Sequence, residues 1–240
     1  MAGQYQIPNP ALKPERSYNF EVGSRLAVRP VELTIAWFHH RIDDFIDERP
    51  GVWGGRWVTT DGVPVVQRVN ADEAVFQGVE GGVALHIFRV TAAAELSFIR
   101  GDIYDAPEGY FADLAGDVTR FPARRMPSLF GTGRLRYTDN AERFYAEVAV
   151  HWADSQDRLH PMDRQDLSLC ETRHHSGDLD ADCRSIGGWY TLNLRGGIRV
   201  SDNADVELAA LNLNDAQYKP VGATYRAAGF DARGTLRIHF

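Results

Sequence analysis

The residues with most capacity for chemistry fall into a few groups. His39-His40 with Asp43-Asp44, and His174-His175 with Asp178, Asp180 and Asp182, carry imidazole and carboxylate donors that suit divalent metals. Neither group has the two-histidine spacing of a catalytic zinc helix, and both fall in segments read as loops or strand ends. Solvated loop polarity is the better reading, and no metal site is assigned. Trp53 and Trp57, in a Gly-rich stretch, could stack on a ligand or be interface aromatics; with Arg56 they are the candidate ligand contacts. Cys170 and Cys183 would clip a loop if bridged in an oxidising compartment, and would otherwise be two thiols in a cytosolic loop. The bridge is the expectation. No Ser/His/Asp order or nucleotide fingerprint stands out, and the glycines at 51–55 and 78–82 lack the strand–helix context of a phosphate loop. No catalytic residue, cofactor or enzymatic activity is expected.

The elements that must position these residues are strands, and the clearest is the last. From Phe230 to Phe240 every second residue is apolar or Gly, ending Leu236, Ile238, Phe240, while Asp231, Arg233, Thr235, Arg237 and His239 lie between. A period of two marks a strand whose faces meet different media. Similar alternation is read over 17–27, 31–37, 75–87, 94–104, 129–137, 144–152, 190–200 and 205–213, giving about nine strands. The stretch 4–16 carries Pro8, Pro10 and Pro14 and reads as an extended lead-in. Connections alternate strictly. Short turns are expected at 28–30, 88–91, 138–142 and 201–204, and long loops at 48–67, 105–127, 153–187 and 214–229. The face opposite the apolar one bears Glu21, Arg25, Glu32, Glu80, Glu95, Arg134, Arg136, Glu147, Arg195, Arg199 and Arg237. Alternation alone does not say which face points inward; the turn–loop asymmetry is that of an outer-membrane barrel, lipid outside and a polar lumen within.

Composition narrows the class further. The chain has 240 residues and a net charge of −7, which gives no nucleic-acid surface. No run approaches the roughly 18 apolar residues of a membrane helix, but barrel strands are only half apolar and remain allowed. Eleven percent aromatics with 22 Gly favours β structure. The opening MAGQYQIPNP has no basic and no apolar region of the kind found in a signal peptide.

Several motifs in order resemble the C-terminal part of TonB-dependent outer-membrane receptors. Asn9-Pro10-Ala11-Leu12-Lys13-Pro14-Glu15, followed by Tyr18-Asn19-Phe20, looks like that family's NPxLKPE motif and its next strand. Asn70 through Phe76-Gln77-Gly78-Val79-Glu80 resembles its N…GVE strand, and Arg125-Met126-Pro127 the proline before a later strand. Asn212-Leu213-Asn214-Asp215-Ala216-Gln217-Tyr218 resembles its NLFDxxY box, with Asn214 in place of Phe. Leu236, Ile238 and Phe240 look like its closing strand and assembly signal.

The resemblance implies an all-β fold, an antiparallel up-and-down transmembrane barrel of about 22 strands with an N-terminal plug. About nine strands and no plug are read here, so residues 1–240 are expected to be the C-terminal portion of that barrel, an open curved sheet. It implies a Gram-negative outer membrane and uptake of a scarce solute, a ferric siderophore foremost. The implied partners are outer-membrane lipid, the barrel-assembly machinery, TonB through the missing plug, and the small-molecule ligand; nucleic acid is not among them. The alternatives are a passive porin-like channel and a soluble β-sandwich binding module.

Overall fold

The computed structural model describes residues 4–104, 120–166, 169, 183–223 and 225–239. Its main sheet contains ten strands: β2 (Arg16–Val28), β3 (Val31–Asp43), β6 (Glu73–Ile87), β7 (Val90–Tyr104), β8 (Arg120–Pro122), β9 (Phe130–Thr138), β10 (Phe144–Ala153), β11 (Trp189–Ser201), β12 (Ala204–Leu211) and β13 (Asp231–Ile238). Nine of them run in the order β13-β12-β11-β10-β9-β7-β6-β3-β2, and β8 pairs the outer end of β7. Every pairing in this sheet is antiparallel. The sheet is open, with β2 and β13 at its two ends.

Because directly paired residues share a face, the registers trace continuous rows across the strands. One runs Leu33–Val83–Ala94–Gly133–Val150–Leu192, and another Ile198–Val206–Leu236. Phe20, Leu26, Ile35, Leu96, Phe98, Leu194 and Leu236 on this face are all exposed. A contiguous apolar face of that extent suits lipid rather than water. The opposite face carries the paired sets Glu80–Ser97, Thr132–His151, Arg136–Glu147–Arg195 and Asp205–Arg237. No described helix is long and apolar enough to cross a membrane.

The sequence reading needs correction in four places, the first being β8, a strand within the segment 105–127 read as loop. The segment at 48–67 is not all loop: β4 (Ile46–Pro50) and β5 (Val65–Asn70) are its two ends, paired antiparallel as an arm continuing β3 and β6. The lead-in contributes β1 (Tyr5–Ile7), which lies parallel on β5, where only antiparallel pairing was expected. With three residues, ending before the first proline, this strand is too short for alternation to reveal. The segment at 153–187 contains a five-residue helix, α1 (Pro161–Gln165), too short for periodicity to reveal. Residues 105–119 lie outside the described ones.

Local chemistry accounts for the turns. At 138–142 the Asp139 Oδ1 accepts N–H groups of Arg143 at 2.6 Å and Phe144 at 2.8 Å. The Phe144 N–H, with those of Arg143 and Ala141, holds this carboxyl below its ordinary value near 3.8 despite opposing desolvation. Glycines make room elsewhere. A Cβ at Gly78 would lie 2.5 Å from the Phe98 carbonyl oxygen and 2.6 Å from Phe38 Cζ, so the Phe38 ring lies across backbone that only Gly exposes. Gly133 has nothing within 4 Å of such a Cβ. Gly78→Ala should therefore destabilise the refolded full-length protein by about 1–3 kcal/mol, measured by urea unfolding, with Gly133→Ala close to neutral. Equal effects at the two sites would show that the Phe38 contact is unimportant.

Candidate functional site: the outer mouth and the inner wall

The long connections share one end of the sheet, and the β4–β5 arm projects from it. The arm reverses again at Trp53-Gly54-Gly55-Arg56, where Gly54 (φ 57°) and Gly55 (φ 77°) take the left-handed conformation a two-residue hairpin demands. Trp53 N–H donates to the Arg56 carbonyl at 2.9 Å and Arg56 N–H to the Trp53 carbonyl at 3.1 Å. Tyr5 from β1 tilts against Trp53 at 5.7 Å between ring centroids. Trp53 and Trp57 are 56% and 57% exposed, so the arm presents both indoles to the surroundings. The three candidate ligand contacts thus share one hairpin, with Trp53 and Arg56 paired and Trp57 on the returning limb.

Beneath the arm lies a clamp that the sequence did not disclose. His160 caps α1: its Nδ1 accepts from Met162 N–H at 3.0 Å, and its Nε2 faces Asp47 Oδ2 at 3.3 Å. The ring is fully buried against Phe121, centroids 5.0 Å apart. Asp163, also buried, accepts Arg124 Nε at 3.2 Å and Arg125 N–H at 2.6 Å. Arg124 reaches on to Glu48 Oε1 at 3.2 Å. Burial lowers the Arg124 pKa, but Asp163 and Glu48 outweigh it and raise the value overall, so the guanidinium stays charged. Val69, Ala71, Ala74, Ile103, Phe121 and Ala123 form the apolar floor. Ala74 and Ile103 pair on the same face as Glu80 and Ser97, so the clamp folds loops over the inward side. Its partners come from separate loops, and no local pattern could have announced them.

The inner wall below is sorted by charge. Strands β2, β3, β6 and β7 present Glu21, Glu32, Glu80 and Glu95 with Arg25. Strands β9 to β13 present Arg134, Arg136, Arg195, Arg199, Arg233 and Arg237 alongside Glu147, Asp205, Glu207 and Asp231. Arg136 lies 3.9 Å over the Tyr145 ring and 3.7 Å from Glu147, and Ser97 Oγ donates to Glu80 Oε1 at 3.3 Å. Such a wall offers charges and hydroxyls to a polar solute, including the Thr132 hydroxyl 3.1 Å from His151 Nδ1.

Residues singled out by motif turn out to be joints. Asn9 donates to the Arg68 carbonyl at 2.9 Å and accepts from Ala11 N–H at 3.1 Å, which folds Pro10 and Leu12 back on themselves. Past Pro14, Glu15 accepts Ile46 N–H at 2.7 Å. Asn70 closes the junction: Oδ1 accepts Lys13 N–H at 2.8 Å, while Nδ2 donates to the carbonyls of Lys13 at 3.0 Å and Asp44 at 2.6 Å. At the other end Asn212, buried and left-handed (φ 50°), bonds Ala216 both ways and donates to Ala228. Leu213 N–H reaches the Leu192 carbonyl at 2.8 Å, Asp215 accepts Phe230 N–H at 2.9 Å, and Tyr218 stacks on Trp189 at 4.0 Å. Asn214, where the motif has Phe, extends the ladder of β11, accepting Leu192 N–H and donating to the Tyr190 carbonyl.

Adjacent positions on β3 put His39 and His40 on opposite faces, so they cannot share a metal. Among the described residues no group of His, Cys, Asp or Glu could hold one. The second group, His174 to Asp182, lies outside the described residues, as do Cys170 and Phe240. Cys183 is buried with Leu159 and Leu169. Leu236 and Ile238 face outward opposite Val206 and Ala204.

Asn70→Ala should cost about 1–3 kcal/mol locally, since it strands the Lys13 N–H and the Asp44 carbonyl. Hydrogen exchange should quicken at 11–15 and 44–46 and stay unchanged in β10 and β11. Unaltered exchange at Lys13 would show that Asn70 is not the joint.

This geometry agrees with what known proteins show. The profile described as "TonB dependent receptor-like, beta-barrel" matches residues 1–213. The vitamin B12 transporter BtuB of Vibrio vulnificus (strain YJ016) is 36% identical over 72 residues, 30% of this chain and 10% of that protein. Among solved structures, the copper transporter OprC superposes with TM-score 0.70 at 16% identity, covering 96% of this chain and 32% of its own. The FrpB iron transporter from Neisseria meningitidis (F3-3 variant) gives 0.66 at 17%, covering 98% and 32%. The ferric enterobactin receptor PfeA from Pseudomonas aeruginosa, in a mutant form, gives 0.64 at 19%, covering 100% and 34%. The chain thus spans about a third of those structures, and at such identities they speak for the fold. The apolar outer face, the charged inner face and the matched profile together make this chain a member of the TonB-dependent receptor β-barrel family, outer-membrane proteins of Gram-negative bacteria.

Proposed function

We propose that the chain serves as the C-terminal barrel portion of a receptor that takes up a scarce solute, a ferric siderophore foremost, driven through TonB. The observation that carries this reading is the outer mouth. Two exposed indoles stand on an arm anchored by a buried ion-pair clamp, directly above a charged inner wall. Iron, ferric enterobactin and copper appear in the names of similar structures, and vitamin B12 in that of a sequence relative. Iron is preferred because it recurs among them. In this reading Trp53, Arg56 and Trp57 contact the ligand, an N-terminal plug couples to TonB, and the barrel-assembly machinery reads Leu236, Ile238 and Phe240.

Cells relying on the full-length protein should lose growth on ferric siderophore as sole iron source when TonB is removed. Trp53→Ala with Trp57→Ala should weaken siderophore binding about tenfold, the loss of two aromatic contacts. Uptake that persists without TonB would replace this reading with a passive channel.

Cys170 and Cys183 are proposed to be bridged in the exported protein, closing a loop worth about 3 kcal/mol in the chain-entropy model. Maleimide labelling of non-reduced outer membranes should find neither thiol; two reactive thiols would refute the bridge.

Deleting Phe240 should cut the amount reaching the outer membrane far more than it lowers the stability of refolded protein. Burial of one Phe contributes only about 1.5–3 kcal/mol. Undiminished outer-membrane levels would make the terminal strand ordinary structure.

A further inference from the structure

On the outward face, just beyond the apolar band, three guanidinium groups converge on one carboxylate. Arg100 Nε and Arg120 Nη2 donate to Asp102 Oδ2 at 2.9 and 3.1 Å, and Arg158 Nη2 donates to Oδ1. The Asp102 side chain is only 5% exposed, whereas the three arginines are 39%, 48% and 36% exposed. Arg120 also lies 4.9 Å over the Tyr104 ring, which fixes its plane. Among the described residues Asp102 is the one carboxylate paired with these three cations, so it offsets one charge of three. Nearby Arg41 differs: it meets both Asp43 at 2.7 Å and Glu73 at 2.8 Å.

The register gives the height of the cluster. Trp37, Val79 and Phe98 form one row of the outward apolar band. The next outward positions are His39, Gln77 and Arg100, about 7 Å nearer the outer end, and the next after that are Arg41, Val75 and Asp102. The cations therefore stand where hydrocarbon gives way to headgroups, facing the bilayer and not the lumen. A guanidinium fork pairs well with phosphate oxygens, and each Arg has N–H donors beyond those given to Asp102. We propose that Arg100, Arg120 and Arg158, preorganised by Asp102, bind the headgroup phosphate of an anionic outer-leaflet lipid. The site would anchor the outer end of β7 and β8 to the membrane. It is separate from solute uptake and stands whichever solute is carried.

The test uses the full-length protein in a zwitterionic detergent, with diphosphoryl lipid A as probe and phosphatidylcholine and inorganic phosphate for comparison. Only the folded fraction, recognised by its heat-modifiable gel mobility, is scored. Arg100→Gln with Arg120→Gln should weaken lipid A binding roughly tenfold or more, and Arg120→Gln alone several-fold. Arg237→Gln on the inner face should leave it unchanged. If the double variant does not fold, the exposed Arg120→Gln decides the matter. Binding within twofold of the parent in the arginine variants would overturn the site and leave the cluster a clamp between loops. Inorganic phosphate binding as tightly as lipid A would equally overturn it, in favour of a free-anion site.

Discussion

One constraint governs this chain: inside a bilayer every backbone N–H and C=O must find its partner within the protein. Within the nine-strand antiparallel path each strand meets it against its neighbours, the outer edges of β2 and β13 being open, and the rest of the structure follows from the register this imposes. Side-chain period is two, so each pairing that satisfies the backbone also commits one face to lipid and the other to the lumen. With β6 held in place, a slip of one residue in β7 would turn Glu95 into hydrocarbon. The rows from Leu33 to Leu192 and from Ile198 to Leu236 show no such slip.

Where the strands leave the bilayer the constraint relaxes, and side chains take over from the ladder. Asn9, Glu15 and Asn70 stitch the lead-in to the junction of β3, β4, β5 and β6. Asn212, Asn214 and Asp215 do the same where β11, β12 and β13 meet. An amide side chain suits this work because it offers a donor and an acceptor in peptide-like geometry. Asn214 shows how a motif can change its means: in place of an aromatic packing residue it carries an amide that completes the edge of β11. The motif residues therefore act as joints between strands and lead-in.

The mouth is held differently again. Its clamp buries Asp163 and His160 and keeps Arg124 charged between carboxylates. Removing one member of such a set leaves its partners desolvated and unpaired, so these residues are bound to one another in effect as well as in space. The loops are thus fixed at their bases, while Trp53 and Trp57 stay exposed at the tip.

The sequence by itself determined the nine membrane strands, the face each residue takes, the side with long connections, and turn chemistry such as that of Asp139. All of these depend on residues one to five positions apart, so the information is local. It also flagged Asn70 and the 212–218 box, though not their roles as joints. Only the tertiary structure decided the rest. The β4–β5 arm and the parallel β1 are short, and β1 depends on a partner strand sixty residues away, Tyr5 opposite Val65. The meeting of Asp47 with His160, and the three arginines on Asp102, join side chains whose sequence separation runs to 113 and 56 residues. Charged residues at such distances carry no periodicity. Their pairing is set by where the sheet delivers each strand end, and that exists only once the chain has folded.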